Sequence, residues 1–214
     1  MKELLDEVRT PVKVPVSGRI IQILLAIAAG VLLGLTAKIL DETASNRLPL
    51  VLQSLDLRNF FSRIGFWMFC GICISVYSSG PCQAAGGILG FFSGMVGSYY
   101  AYTILVAGFY PRSYMMIWIA MTALSPLMGM ICWYARGTHI LSLCISSIII
   151  MMMTRQAFAF GFWYLDIRDG LELILWIMTI AVLYRSPKQI MTATGTGILL
   201  FFLTSGMNLF WGML

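Results

Sequence analysis

The sequence predicts an all-α polytopic bundle of about seven transmembrane helices, and three observations predict it. Hydrophobic residues make up 59% of the chain, charged residues 11%, and the mean hydropathy is +0.87, well outside the range of soluble domains. The apolar residues gather into seven runs, each near the ~20 residues that cross a bilayer as a helix. The runs are apolar on every side, whereas strands of a membrane barrel alternate apolar and polar positions.

In order, the runs are Arg19–Leu40, Phe61–Tyr77, Cys82–Gly108, Tyr114–Trp133, Ile140–Ala159, Leu171–Tyr184 and Ile190–Phe210. The sixth is the shortest, and six spans with one interfacial segment is the alternative. Residues 1–18 read as a cytoplasmic interfacial segment ahead of a single transmembrane domain over 19–214. Within it, Lys2–Arg9 suits a short amphipathic helix with Leu4, Leu5 and Val8 on one side, ended by Pro11 and Pro15. No small-x-small cleavage site follows the first run, so the segment does not read as a signal peptide.

Orientation rests on Lys and Arg. An N-inside topology puts Lys2, Arg9, Lys13, Arg19, Arg136, Arg185 and Lys188 inside, and Lys38, Arg47, Arg58, Arg63, Arg112, Arg155 and Arg168 outside. The count is tied. Two features favour N-inside: the basic residues that lead into the first run, and the acidic company of the outer ones (Asp41, Glu42, Asp56, Asp166, Asp169, Glu172). The net charge of +5 has no basic cluster behind it. It fits anionic lipid headgroups and excludes a nucleic-acid partner.

In lipid, helices associate through close packing, so small residues mark contact faces. The third run carries Gly86, Gly90 and Gly94, continued by Gly97 with Ser98 and then Ala101. Steps of three and four place these on one face, and the third helix is read as central. Ala26, Gly30 and Gly34 form a shorter stripe on the first run, where a partner-subunit seam is an alternative to internal packing. Pro126 breaks the backbone hydrogen bonding of the fourth run, and Ser125 is placed to satisfy the freed carbonyl.

Little in the chain supports catalysis. Cys70 and Cys73 form a C-x-x-C pair deep in the second run, without further ligands, and read as buried and reduced. The other cysteines, Cys82, Cys132 and Cys144, give no expected disulfide. His139 is the only histidine, and it reads as a solvated loop residue. Nucleotide-binding loops and zinc motifs are missing from the sequence. No acidic residue lies between Asp56 and Asp166, which argues against a proton-driven carrier built on those spans. The expectation is a non-enzyme with no cofactor and no metal.

Charge concentrates on the expected outer side. Arg63, Arg112 and Arg155 lie close to hydrocarbon, and Asp166, Arg168, Asp169 and Glu172 cluster before the sixth run. Arginine at that depth needs a carboxylate, a carbonyl, a headgroup or a ligand. One reading is a set of ion pairs that fix the outer loops, with the three arginines approaching the acidic cluster. The other is an outward polar pocket rimmed by Tyr99, Tyr100, Tyr102, Tyr110, Tyr114, Trp163 and Tyr164. Tyr99 and Tyr102 join the arginines and the acidic cluster as candidate ligand-binding residues.

Three segments carry a resemblance: Asn59-Phe60-Phe61-Ser62-Arg63-Ile64-Gly65, Tyr110-Pro111-Arg112-Ser113-Tyr114-Met115-Met116-Ile117-Trp118, and Gly161-Phe162-Trp163-Tyr164-Leu165-Asp166-Ile167-Arg168. Over about residues 20–185 the chain resembles a family of small multi-span bacterial proteins classed as a domain of unknown function. That resemblance implies a bacterial inner-membrane location and no particular activity. The stripe Ala26-x-x-x-Gly30-x-x-x-Gly34 is also loosely similar to the substrate-capture subunits of energy-coupling-factor importers, which implies an outward substrate pocket and a docking partner. The expected function is a small-solute binding or transport subunit in the bilayer. The alternative is a non-catalytic scaffold or accessory subunit of a larger complex.

Overall fold

A computed structural model describes residues 7–44, 49–106, 108, 112–161 and 164–204. Most of the described chain is helical. In order it forms α1 (Val16–Glu42), α2 (Leu50–Ser54), α3 (Leu57–Ser62), α4 (Ile64–Tyr77), α5 (Pro81–Leu105), α6 (Arg112–Trp133, extended by a 3₁₀ turn to Arg136) and α7 (Ile140–Ala157). A two-stranded hairpin, β1 (Phe158–Gly161) and β2 (Tyr164–Ile167), precedes α8 (Gly170–Leu183) and α9 (Pro187–Leu203).

Among the described residues four helices are long and apolar enough to cross a membrane: α1, α5, α6 with its extension, and α7. Length and composition thus account for four of the about seven expected spans. The second and sixth runs are helices of 14 residues, about 21 Å at 1.5 Å per residue, against a hydrocarbon core of about 30 Å. Local chemistry sets their limits. The second run is split where Arg63 turns extended (φ −85°, ψ 152°) and separates α3 from α4. Trp67 Nε1 holds that break by donating to the Phe61 carbonyl at 2.9 Å. The sixth starts at Asp169, whose side chain accepts from Leu171 N at 2.7 Å as an N-cap. The seventh run is helical over Pro187–Leu203, and its continuation to Phe210 lies outside the described residues.

The fifth run also ends early. Its helix stops at Ala157, and Phe158–Gly161 pairs antiparallel with Tyr164–Ile167, Phe158 facing Ile167. Aromatic side chains suit strands better than helix interiors. Phe160 packs on Phe202, ring centroids 4.7 Å apart.

α1 and α5 run parallel in backbone contact. A Cβ on Gly94 would lie 2.6 Å from the Ile27 carbonyl oxygen, and Cβ atoms on Gly30 and Gly34 would overlap the Phe91 and Met95 carbonyls. Gly86 and Gly90 meet the side chains of Ile23 and Ile27, while Gly97 faces open space. Ala26 is buried in the same layer. The small-residue stripe of α1 is thus packed against α5. On α6, Ser125 Oγ donates to the Thr122 carbonyl at 2.8 Å, the acceptor that Pro126 leaves without its backbone donor.

Two cores result. One joins α1, α5 and α6 around Trp67, Phe91, Met95 and Trp118. The other joins α7, α8 and α9 around Ile149, Met153, Leu175 and Ala193. Trp67 serves the first core, and Phe69, Ile72 and Val76 serve the second, so α4 is the wall between them. α5 is the hub of one half, and short α4 is central to the whole.

The chain reverses at each connection, so charge sorts to two ends. The starts of α1, α5, α7 and α9 share one end with the C-termini of α4, α6 and α8. Arg9, Arg136 and Arg185 lie there. Arg9 donates to the Trp133 carbonyl and, at 2.9 Å, to the Val76 carbonyl, with its guanidinium 4.4 Å from the Trp133 ring centroid. Arg185 donates to the Arg136 carbonyl at 2.7 Å. These carbonyls lie in the last turns of their helices, at the negative ends of the helix dipoles. Burial, with Arg136 and Arg185 nearby, lowers the Arg9 pKa to about 10, so it stays charged at neutral pH. The segment before α1 is strapped to this end as well: Thr138 N donates to the Val8 carbonyl at 3.1 Å, and Val12 N to the Ser79 carbonyl at 2.7 Å. Glu7 and Val8 are helical; residues 1–6 of the expected amphipathic helix lie outside the described residues.

Candidate solute pocket

At the opposite end, five elements enclose a cavity of about 260 Å³. α1 supplies Ala37 and Asp41, α3 supplies Arg58, Phe61 and Ser62, and α4 supplies Trp67. Met95, Val96, Tyr99 and Tyr100 come from α5, and Tyr114 and Trp118 from α6. The elements converge because the α1–α5 glycine contact brings Asp41 beside Tyr99, and the break at Arg63 folds α3 across the top.

Charge in the pocket centres on Asp41. Lys38 Nζ lies 3.2 Å from Asp41 Oδ2 and 2.6 Å from Glu42 Oε1. The Tyr99 hydroxyl donates to Asp41 Oδ2 at 3.3 Å, and Lys38 Nζ lies 5.1 Å from the Tyr99 ring centroid. Lys38 itself is buried, 2% exposed, a placement that the two carboxylates make tolerable. Arg58 is half-exposed, with Nε 3.7 Å from Asp41 Oδ1. Aromatic edges form the floor, with Tyr114 on Trp118 at 6.2 Å and Phe61 on Trp67 at 6.1 Å between centroids. A small cavity with apolar aromatic walls and a few fixed polar groups is the usual form of a small-molecule site.

The expected site residues divide. Tyr99, Tyr100 and Tyr114 line the pocket, and Tyr102 is half-buried outside its lining. Arg63 Nη1 approaches Asp169 Oδ2 at 3.9 Å, beside Glu172. The other two arginines do not join the acidic cluster. Arg155 donates to the Thr204 carbonyl at the end of α9, and Arg112 is exposed at the start of α6, in the other half of the molecule. Asp166 accepts from its neighbour Ile167 N at 2.8 Å, and Arg168 donates to the Phe158 carbonyl at 3.2 Å, so both secure the hairpin. Tyr110 and Trp163 lie outside the described residues.

The charged pair that the pocket does hold, Asp41 and Arg58, was not among the expected ligands. In the sequence both entered only the charge balance of the outer segments. The aromatic count on this side was the one sequence signal that pointed to this end of the bundle, and Arg63, Arg112 and Arg155 lie outside the cavity lining.

Cys70 and Cys73 line a second groove between α1, α4 and α5, with Leu25, Ala29 and Phe91. Among the described residues no group of three or more His, Cys, Asp or Glu could hold a metal ion. Compared with protein-family models, curated proteins and solved structures, the chain matches none.

Proposed function

We propose that this chain is a multi-pass membrane protein that binds a small solute in the aromatic pocket, from the extracytoplasmic side. The observation that carries the reading is the pocket itself: five elements converge on a cavity with aromatic walls, tyrosine hydroxyls, and Arg58 at its mouth. Such a lining suits a solute with a flat apolar part and an anionic or hydrogen-bond-accepting group. No catalytic step is invoked, and the role is that of a binding or transport subunit.

Charge supports the orientation. Among the described residues, the end that holds the start of α1 has Arg9, Lys13, Arg19, Arg136, Arg185 and Lys188 against Glu7 alone. An uncompensated basic end faces the anionic cytoplasmic leaflet. The N-terminus is then cytoplasmic and the pocket opens outward. α4, α8 and α9 complete a seven-crossing path, because each connection reverses the chain.

Native mass spectrometry of protein extracted in mild detergent tests the proposal. The wild type should release a bound molecule small enough for the cavity, and Ala37→Trp, which fills it, should not. Identical spectra without a retained solute would leave the alternative, a non-catalytic scaffold or accessory subunit.

A further inference from the structure

Among the described residues Glu172 is the only fully buried acid, and neither of its carboxyl oxygens has a hydrogen-bond partner. It belongs to the first turn of α8 and points at α4, where Gly65 makes room. A Cβ at Gly65 would overlap Glu172 Oε2 and lie 2.8 Å from Oε1. The charged groups that face Glu172 are Arg63 at the head of α4, and Arg168 and Asp169 ahead of α8. Arg63 leans on Asp169 at 3.9 Å, and Arg168 on the Phe158 carbonyl. The other helices packed on α8 bring no charge to it. Arg155, the only charged residue of α7, serves Thr204, and Lys188, the only one of α9, sits at the far end.

A buried carboxylate without donors must gain an ion pair, a metal cation or a proton. No arginine nitrogen comes within salt-bridge distance of it among the described residues. A metal ion needs several oxygen ligands, and no such group exists among the described residues, while the Gly65 backbone fills the adjacent space. A proton needs neither partner nor volume.

We propose that Glu172 is a proton-exchange site, protonated at neutral pH, and that its protonation is linked to the state of the solute pocket. On release, the Glu172 O–H bond breaks and the proton passes to water at the outer end. The carboxylate left behind draws Arg63 away from Asp169. Arg63 and Gly65 face Glu172, while Phe61, Ser62 and Trp67 of the same stretch line the pocket, so a shift at the α3–α4 break moves both. The linkage rests on the pocket reading; the proton site does not.

Infrared difference spectroscopy of the full chain in bilayers tests the site. The wild type at neutral pH should show a protonated-carboxyl C=O band that Glu172→Gln abolishes, that Asp169→Asn retains, and that disappears at alkaline pH. Absence of the band, or its persistence in Glu172→Gln, would overturn the proposal. Gln mimics the neutral acid, so Glu172→Gln should fold and melt as the wild type does; failure to fold would equally overturn it. Tryptophan emission should shift with the same pH midpoint as the band in the wild type and lose that shift in Glu172→Gln. A wild-type emission flat across that midpoint would refute the linkage. Loss of the pocket reading alone would appear as a normal carboxyl band in a protein that retains no solute.

Discussion

The two ends of this bundle use their charges differently. At the basic end, arginines meet backbone: Arg9 and Arg185 donate to the last carbonyls of α4 and of α6 with its 3₁₀ turn. At the mixed end, Lys38, Arg58 and Arg63 meet carboxylates, and a cavity and a buried acid remain between the pairs. Carbonyl caps close an end and leave net positive charge on it. Carboxylate pairs neutralise an end and leave polar groups to line a cavity. The difference teaches that one end is built for closure and that the other keeps the cavity on which the proposed binding rests.

Removing the cap should have the largest effect. Arg9→Ala strips one cation from two helix C-termini and should cost about 3 kcal/mol, as charged hydrogen bonds are worth roughly 1.5–3 kcal/mol each, read as a lower Tm in detergent. An unchanged Tm would mean the basic end is not held by its arginines. The seam that keeps both ends in register comes next. Gly94→Leu drives a side chain into the Ile27 backbone and should cost about 1–3 kcal/mol, whereas Gly97→Leu, which faces open space, should leave the Tm alone.

At the mixed end, binding should respond more than stability. Asp41→Asn weakens pairs that are partly exposed, so the Tm should fall by less than about 1 kcal/mol equivalent. Solute retention should be lost nonetheless, because Lys38, Arg58 and Tyr99 all orient on Asp41. The smallest effect is expected from Arg112→Gln. That side chain is exposed and outside the pocket lining, so both Tm and retention should match the wild type.

Much of the architecture was legible because single runs encode it. Apolar length marked the helices, and the glycine steps marked the faces through which α1 and α5 meet. The break at Arg63 was not legible, since Phe61 and Phe66 read as one apolar run and only the fold of α3 over the pocket explains the interruption. The hairpin was hidden for a related reason: Phe158 to Leu165 is apolar enough to continue a span, and strand pairing depends on a partner rather than on hydropathy. That Arg112 and Arg155 stay apart from the acidic cluster was not legible, because pairing joins residues far apart in sequence, such as Arg155 with Thr204. Glu172 was counted with the charged cluster before the sixth run, as a candidate ligand-binding residue. Its burial comes from the absence of a side chain at Gly65, more than a hundred positions earlier, which no local pattern records.

Opposite exposure of the two ends is the central claim, and impermeant labelling tests it most directly. In a background with the five native cysteines replaced by alanine, Ser62→Cys places a thiol at the pocket mouth and Thr138→Cys places one at the basic end. A membrane-impermeant maleimide added to intact cells should label Ser62→Cys at once and Thr138→Cys only after permeabilisation. Labelling of Thr138→Cys from outside, or of both positions from the same side, would contradict the account.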